Sequence, residues 1–172
     1  MLKLAIILCG ILFFTAPALA AGVCISLHVP HAGVVGHGME KRLSFPLYEA
    51  TLYAPKGRYA ADKPFALTLT YRMSFSRLDI AKESTRQIYL LGMTDTDMLD
   101  DWRRQLAGIF PDVKKNDSIT GLQLANGQTL FCQSGRELGR MKDKKFGHLF
   151  FGIWLDKKAK NENLRQKLLG QS

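Results

Sequence analysis

The clearest pattern in the chain is an alternation of apolar and polar residues from Phe65 to Met73. Apolar side chains occupy every second position, and Thr68, Thr70 and Arg72 lie between them. This period of two is typical of a β-strand with one buried face. The pattern therefore predicts a half-buried strand, with Arg72 on the face opposite the apolar side chains.

Two other segments alternate in the same way. Residues 25–29 do so within an apolar, glycine-rich stretch and predict an opening strand. Residues 43–52 predict a long strand in which the apolar phase slips by one residue beside Pro46, as expected for a bulge or a bend. The strand signal returns at 118–124 and 130–133, around the tight-turn pair Asn126-Gly127.

Helical periodicity separates these strand segments. It covers residues 78–88, then a stripe containing Trp102 that follows a capping-box-like Thr94 and Asp97 and ends at Pro111. It recurs over 146–154 and in a short segment that ends at Gly170. Strands, two helices, strands and two helices predict an α+β fold, with an antiparallel sheet covered on one face by helices.

The first twenty residues are typical of a secretory signal peptide. Lys3 precedes an apolar run of about eleven residues, and Ala18-Leu19-Ala20 provides small residues for cleavage after Ala20. The alternative, an uncleaved anchor, is disfavoured because the run is too short for about 30 Å of hydrocarbon. We therefore predict a signal peptide over 1–20 and one domain over 21–172. The mature protein would have no transmembrane segment and would be periplasmic or secreted.

Cleavage would leave two cysteines, Cys24 and Cys132. In an oxidising compartment they could form one disulfide, and the alternative is two buried, unpaired thiols. Sequence alone does not decide between these, because pairing depends on the distance between the two Cα atoms.

The residues offer little support for metal, cofactor or nucleic-acid chemistry. His28, His31 and His37 lie close together, but no acidic or cysteine ligand accompanies them, so we expect neither a metal nor a cofactor. The formal net charge is +9, with the excess in the last third of the chain. The aromatic residues there fit a buried helix rather than a nucleic-acid surface, so anionic lipid, an anionic ligand or an envelope protein are the better candidate partners.

Three stretches together resemble the chalcone isomerase-like family, in its bacterial exported branch. They are the segment 36–53, which starts with Gly36-His37-Gly38-Met39, the strand and helix start at 68–76, and the ending 146–170, which contains Gly152-Ile153-Trp154-Leu155. The resemblance implies an open-faced β-sandwich with a ligand cleft between the sheet and the helices. Family members include plant enzymes that cyclise chalcones and non-catalytic proteins, some of which bind fatty acids.

The residues that the family enzymes use have poor counterparts in this sequence. Their arginine follows the glycine-rich entry, where this chain has Glu40 and only then Lys41 and Arg42. The enzymes also have a tyrosine and an asparagine at the start of the first helix. This chain has Ser76-Arg77-Leu78-Asp79 in that region, so neither residue has a counterpart. Because cyclisation needs donors placed where oxyanion charge develops, we predict no catalytic residues.

The leading hypothesis is an exported, non-catalytic protein that binds a small amphipathic or fatty-acid-like ligand in this cleft. Arg42, Tyr48 and Arg72 are the candidate ligand-binding residues, since one arginine suits a carboxylate head in an apolar cleft. One alternative is a structural or interaction module of the cell envelope without a small ligand. The other is a surviving lyase or isomerase.

Overall fold

The fold is a six-stranded antiparallel sheet with helices packed on it, as the α+β prediction required. The computed structural model describes residues 18–171, and the strands lie in the sheet in chain order. The strands are β1 (Ala32–Arg42), β2 (Phe45–Pro55), β3 (Phe65–Tyr71), β4 (Ser118–Gln123), β5 (Thr129–Gln133) and β6 (Arg136–Met141). The helices are α1 (Ala18–His28), α2 (Arg77–Leu90), α3 (Thr96–Ile109), α4 (Lys144–Leu155) and α5 (Glu162–Leu168).

The alternation in β3 divides the sheet into two faces. Leu67 and Tyr71 are buried in the main core beneath the helices. On the opposite face, the Thr68 hydroxyl hydrogen-bonds to that of Thr120 at 2.9 Å, across the pair β3–β4. The main core is thus built from one side of the sheet and from α2, α3, α4 and α5.

The first hairpin contains the predicted irregularity. Glu40 pairs with Tyr48 and Lys41 pairs with Pro46, so one extra residue of β2 is accommodated as a bulge. The predicted strand start is wrong, however, because Leu43 lies in the turn between β1 and β2 with a φ of 56°. The alternation that begins at residue 43 therefore crosses a hairpin turn.

The predicted opening strand over 25–29 is also wrong, because residues 25–28 belong to α1 and the Val29 N–H still donates to the Ile25 carbonyl oxygen at 2.8 Å. Cys24, Ile25 and Val29 are buried in a second, smaller core on the face of the sheet opposite the main core. Leu27 points away and is 72% exposed. Helical spacing of four residues brings Ile25 and Val29 to one side, whereas alternation would have buried Leu27 as well.

Helix α1 is linked to the sheet by a disulfide in the structure. Cys24 in α1 and Cys132 in β5 are bonded, with Cα atoms 6.6 Å apart and a sequence separation of 108. This bond ties the start of the described chain to the middle of the domain.

Side chains cap the starts of α2 and α3. Ser76 caps α2, and its hydroxyl accepts from the Asp79 N–H at 3.1 Å. The cap of α3 is Asp95, whose carboxylate accepts from the Met98 N–H at 3.0 Å, rather than the predicted Thr94. Thr94 lies one residue too early, outside the helix.

Helix α5 lies against β1 through two glycines. A Cβ at Gly36 would overlap the Lys167 carbonyl oxygen, and one at Gly38 would lie 2.7 Å from the Leu164 side chain. The glycines therefore allow α5 to reach the sheet and close one end of the helical layer.

The predicted signal peptide falls largely on residues 1–17, which lie outside the described residues. Within 18–171, no helix is both long and apolar enough to cross a membrane.

Candidate functional site

A cleft of about 1360 Å³ lies between the main face of the sheet and the helical layer. Its inner walls are apolar and come from β3, β4, β5 and α4, whereas its mouth is formed by the β1–β2 turn, α2 and the segment before α5. The apolar residues that line it inside are Leu67, Leu69, Ile119, Phe131, Phe150 and Ile153. A large apolar space with polar groups at one end is the usual form of a site for an amphipathic small molecule.

Two tyrosines supply polar groups inside this apolar space. Tyr48 of β2 and Tyr71 of β3 lie side by side, with ring centroids 6.2 Å apart and edges facing rings. The Trp154 indole N–H donates to the Tyr48 hydroxyl oxygen at 3.0 Å. This bond fixes the Tyr48 ring and leaves its own O–H as a donor for another group.

The hydroxyl protons of both tyrosines are held firmly. Burial, together with the negative charge of Glu40, raises the pKa of Tyr48 well above its usual value of 10.0. Burial alone raises the pKa of Tyr71 in the same direction. Both groups are therefore neutral hydrogen-bond donors at every physiological pH. Within residues 18–171, the Tyr71 hydroxyl has no hydrogen-bond partner.

Arg42 lies at the mouth of the cleft, on the last residue of β1. Its side chain is exposed, and it forms no ion pair within the described chain. Lys41, Lys82 and Lys160 also line the cleft, whereas Arg86 is paired with Glu83 at 2.6 Å. The mouth therefore offers several cations for an anionic head group.

Arg72 lies elsewhere. Its guanidinium forms an ion pair with Glu49 on the outer face of the sheet, away from the helices. His37 extends this polar group, since its Nδ1 lies 3.6 Å from a Glu49 carboxylate oxygen. Of the three residues predicted from sequence to bind a ligand, the structure thus brings Arg42 and Tyr48 to one cleft and separates Arg72 from them.

Tyr71 is the site residue that the sequence did not reveal. It belongs to the regular apolar alternation of β3, so it resembles an ordinary core residue. The available signal was that tyrosine carries a hydroxyl that seeks a partner when buried. Its neighbour Tyr48 in the β2–β3 register gave a second hint, but that pairing is known only from the fold.

The histidines considered as metal ligands are dispersed. His28 ends α1, His31 follows it in a left-handed turn with a φ of 50°, and His37 lies on the outer face of β1. Within residues 18–171, no group of three or more potential ligands is arranged to hold a metal ion.

The fold and the sequence can be compared with those of known proteins. A crystal structure of a fatty-acid binding protein from Arabidopsis thaliana has a similar fold, with a TM-score of 0.64 and 13% sequence identity, over 82% of this chain and 88% of that one. The family described as chalcone isomerase-like matches residues 33–170. The chain belongs to this family. A search of curated protein sequences gives no significant match.

Proposed function

We propose that this protein is an exported, non-catalytic member of the family that binds a fatty-acid-like ligand in the sheet–helix cleft. The acyl chain would occupy the apolar interior, and the carboxylate would meet Arg42 and the hydroxyls of Tyr48 and Tyr71. The observation that carries this proposal is the pair of tyrosine hydroxyls that face an apolar cleft with donors to spare.

The chemistry of the cleft suits a carboxylate better than a neutral ligand. A carboxylate only accepts hydrogen bonds, and both tyrosines and Arg42 donate them. Such charge-assisted bonds are stronger than bonds between neutral groups. The fold similarity to a fatty-acid binding protein supports the same ligand class.

The polar residues of α2 support the absence of catalysis. The side chains that α2 directs to the cleft include Asp79, Lys82, Glu83 and Gln87, but no tyrosine or asparagine. The Glu83 carboxylate is bound to Arg86, which lowers the pKa of Glu83 and keeps it ionised. The tyrosine and asparagine that the family enzymes carry at the start of this helix, where donors would meet developing oxyanion charge, therefore have no counterpart in α2.

Export is supported by the sequence pattern of residues 1–20 and by the pairing of Cys24 with Cys132 in the structure. Disulfides persist in oxidising compartments and are rare in the cytoplasm. Mass spectrometry of the purified protein tests this proposal directly. The proposal predicts an N-terminus at Ala21 and a mass lower by two hydrogen atoms than that of the fully reduced chain.

The test of ligand binding is native mass spectrometry of the purified protein, with denaturing extraction of any bound molecule. We expect a fatty acid or a similar amphipathic anion, and a titration with oleate should then give saturable binding. Arg42→Ala should weaken oleate binding about tenfold or more, as expected for a lost charge-assisted bond. Arg58→Ala provides the matched control, because Arg58 is exposed and does not line the cleft.

A second variant tests whether the apolar interior of the cleft holds the acyl chain. Leu69 is partly buried and faces the cleft, so Leu69→Trp should occupy space that the acyl chain needs. Oleate binding should be lost while the thermal unfolding temperature changes little. An apo protein that takes up no oleate would contradict the proposal and favour an envelope interaction module. Cyclisation of an added chalcone would instead favour the enzyme.

A further inference from the structure

The turn between β1 and β2 exposes large apolar side chains at the mouth of the cleft. Leu43 is 92% exposed and Phe45 is 70% exposed. Leu43 also has a φ of 56°, a conformation that glycine and asparagine adopt more readily in such turns. A leucine is therefore present at a position where neither backbone conformation nor solvent exposure favours it.

Two cations precede these apolar residues. Lys41 and Arg42 are exposed, and within the described chain neither forms an ion pair. Ser44 and Pro46 complete the segment, which has no acidic residue. We name residues 41–46 the hairpin tip. It combines a small apolar surface with a local positive charge.

The hairpin tip lies beside the opening of the cleft. Leu43 and Phe45 contribute to the lining, together with Met73, which is 43% exposed. Lys82 and Lys160 add positive charge to the same lining. Four acidic side chains occur there too. Glu83 and Glu162 are paired with arginines, Glu40 accepts from the Asn161 amide, and Asp79 accepts from the Ser76 hydroxyl at the start of α2.

We propose that the hairpin tip docks on an anionic lipid bilayer. Leu43 and Phe45 would enter the boundary between head groups and acyl chains, while Lys41 and Arg42 would bind the phosphates. Apolar side chains flanked by cations bind anionic membranes in this way. This inference rests on the proposed function for its purpose, because docking would bring the mouth of a lipid-binding cleft to the source of its ligand.

The size of the surface favours a bilayer over a protein partner. A stable protein interface buries about 800 Å² on each side. The hairpin tip has only two large apolar residues, on a turn that projects from the sheet, and such a shape suits insertion into a soft interface. The positive charge of its two cations also matches a surface of phosphate groups.

The test is flotation of the purified protein with vesicles of phosphatidylcholine that contain about one-third phosphatidylglycerol. We expect binding to these vesicles, weaker binding to pure phosphatidylcholine, and a decrease at about 1 M salt, where the screening length falls to about 3 Å. The double variant Leu43→Ser, Phe45→Ser should lower the partition coefficient about tenfold or more. Lys41→Gln, Arg42→Gln should remove the preference for phosphatidylglycerol.

Matched controls separate the hairpin tip from the rest of the chain. Val34→Ser removes an apolar side chain that is 54% exposed, at the far end of the same hairpin, and should leave flotation unchanged. Arg103→Gln, Arg104→Gln removes two charges from α3 and should have only a small effect. All variants share the same N-terminus, so any apolar leader that remains contributes equally to each.

A fluorescence measurement reports insertion directly. Trp102 and Trp154 are 1% and 8% exposed, so their emission should change little when vesicles are added. In Phe45→Trp, the added emission should shift to the blue with anionic vesicles and be quenched by brominated lipid tails. The proposal would be overturned if the protein floated with the vesicles while the emission of Trp at position 45 showed neither a blue shift nor quenching.

Other outcomes also decide the matter. Equal flotation of wild type and the Leu43→Ser, Phe45→Ser variant, or no flotation of wild type, would overturn it. If wild type formed a dimer but bound no vesicles, and this variant were monomeric, the proposal would be wrong. The hairpin tip would then bind a second copy of the chain. Oleate binding in solution is measured separately, so a protein that docks on vesicles without binding oleate would contradict only the proposed function.

Discussion

At the scale of single residues, the two cleft tyrosines make different demands on the fold. The Tyr48 hydroxyl accepts from Trp154 and thereby satisfies a buried indole N–H. The Tyr71 hydroxyl has no hydrogen-bond partner within the described chain, although the residue is only 4% exposed. A hydroxyl that makes no hydrogen bond within the described chain but belongs to a residue lining the cleft is better explained by binding than by stability.

Tyr71→Phe tests this distinction. We expect the free energy of unfolding at pH 7 to change by less than about 0.5 kcal/mol, because no hydrogen bond is lost. Oleate binding should weaken several-fold, since one donor to the carboxylate is removed. Tyr48→Phe should instead lower the free energy of unfolding by about 1–3 kcal/mol, since it leaves the Trp154 N–H unsatisfied. Equal stability losses in both variants, measured by urea unfolding, would contradict this assignment.

The raised tyrosine pKa values also predict how stability depends on pH. In the unfolded chain tyrosine loses its proton near pH 10, whereas burial holds the protons of Tyr48 and Tyr71 to higher pH in the folded protein. This contribution to stability is therefore complete below pH 10 and is lost as the pH rises above it. Urea unfolding at pH 8 and pH 10.5 should show a smaller alkaline loss in Tyr71→Phe than in wild type. An identical alkaline loss of stability in both proteins would contradict the burial of Tyr71. Tyr89→Phe, at an exposed site, serves as the control and should lose as much stability as wild type.

At the scale of elements, the contact of α5 with β1 depends on a missing side chain. Gly36→Ala would force the Lys167 carbonyl away, and we expect a loss of about 1–3 kcal/mol in the free energy of unfolding. Gly108→Ala in α3 is the matched control, because a Cβ at Gly108 would have no neighbouring atom within 4 Å. Alanine is also more favourable than glycine within a helix by about 0.5–1 kcal/mol. Urea unfolding of both variants measures the difference. If Gly36→Ala left the free energy of unfolding unchanged, α5 would not pack against β1 as described.

The elements also show where sequence reasoning works. The alternation of β3, the turn at Asn126-Gly127 and the bulge beside Pro46 were all predicted, because each depends on neighbouring residues. Helix α1 was mistaken for a strand, because Ile25 and Val29 fit both periods. Only the exposure of Leu27 separates the two, and that exposure results from tertiary packing.

At the scale of the whole molecule, the sheet separates two environments. The face toward α2, α3, α4 and α5 holds the main core and the cleft, and the opposite face holds α1 and the pair Glu49 and Arg72. The alternation placed Arg72 opposite the apolar residues of β3, yet choosing it as a ligand-binding residue required knowing which face carries the helices. That knowledge comes from the pairing of distant segments, which local periodicity does not contain.

This division predicts that the disulfide stabilises the fold without shaping the cleft. Cys24 and Cys132 close a long loop on the face that α1 covers. The double variant Cys24→Ser, Cys132→Ser should lower the free energy of unfolding by about 2–5 kcal/mol, because the unfolded chain regains conformational freedom. Its affinity for oleate should remain within about twofold of wild type at a temperature where both are folded.

Urea unfolding and an oleate titration of the same samples measure the two quantities, and dithiothreitol should reproduce the stability loss in wild type alone. If the variant instead lost oleate binding while still folded, the two faces of the sheet would be coupled. The cleft would then depend on α1 across the sheet, and the separation of the two cores would not describe how the protein works.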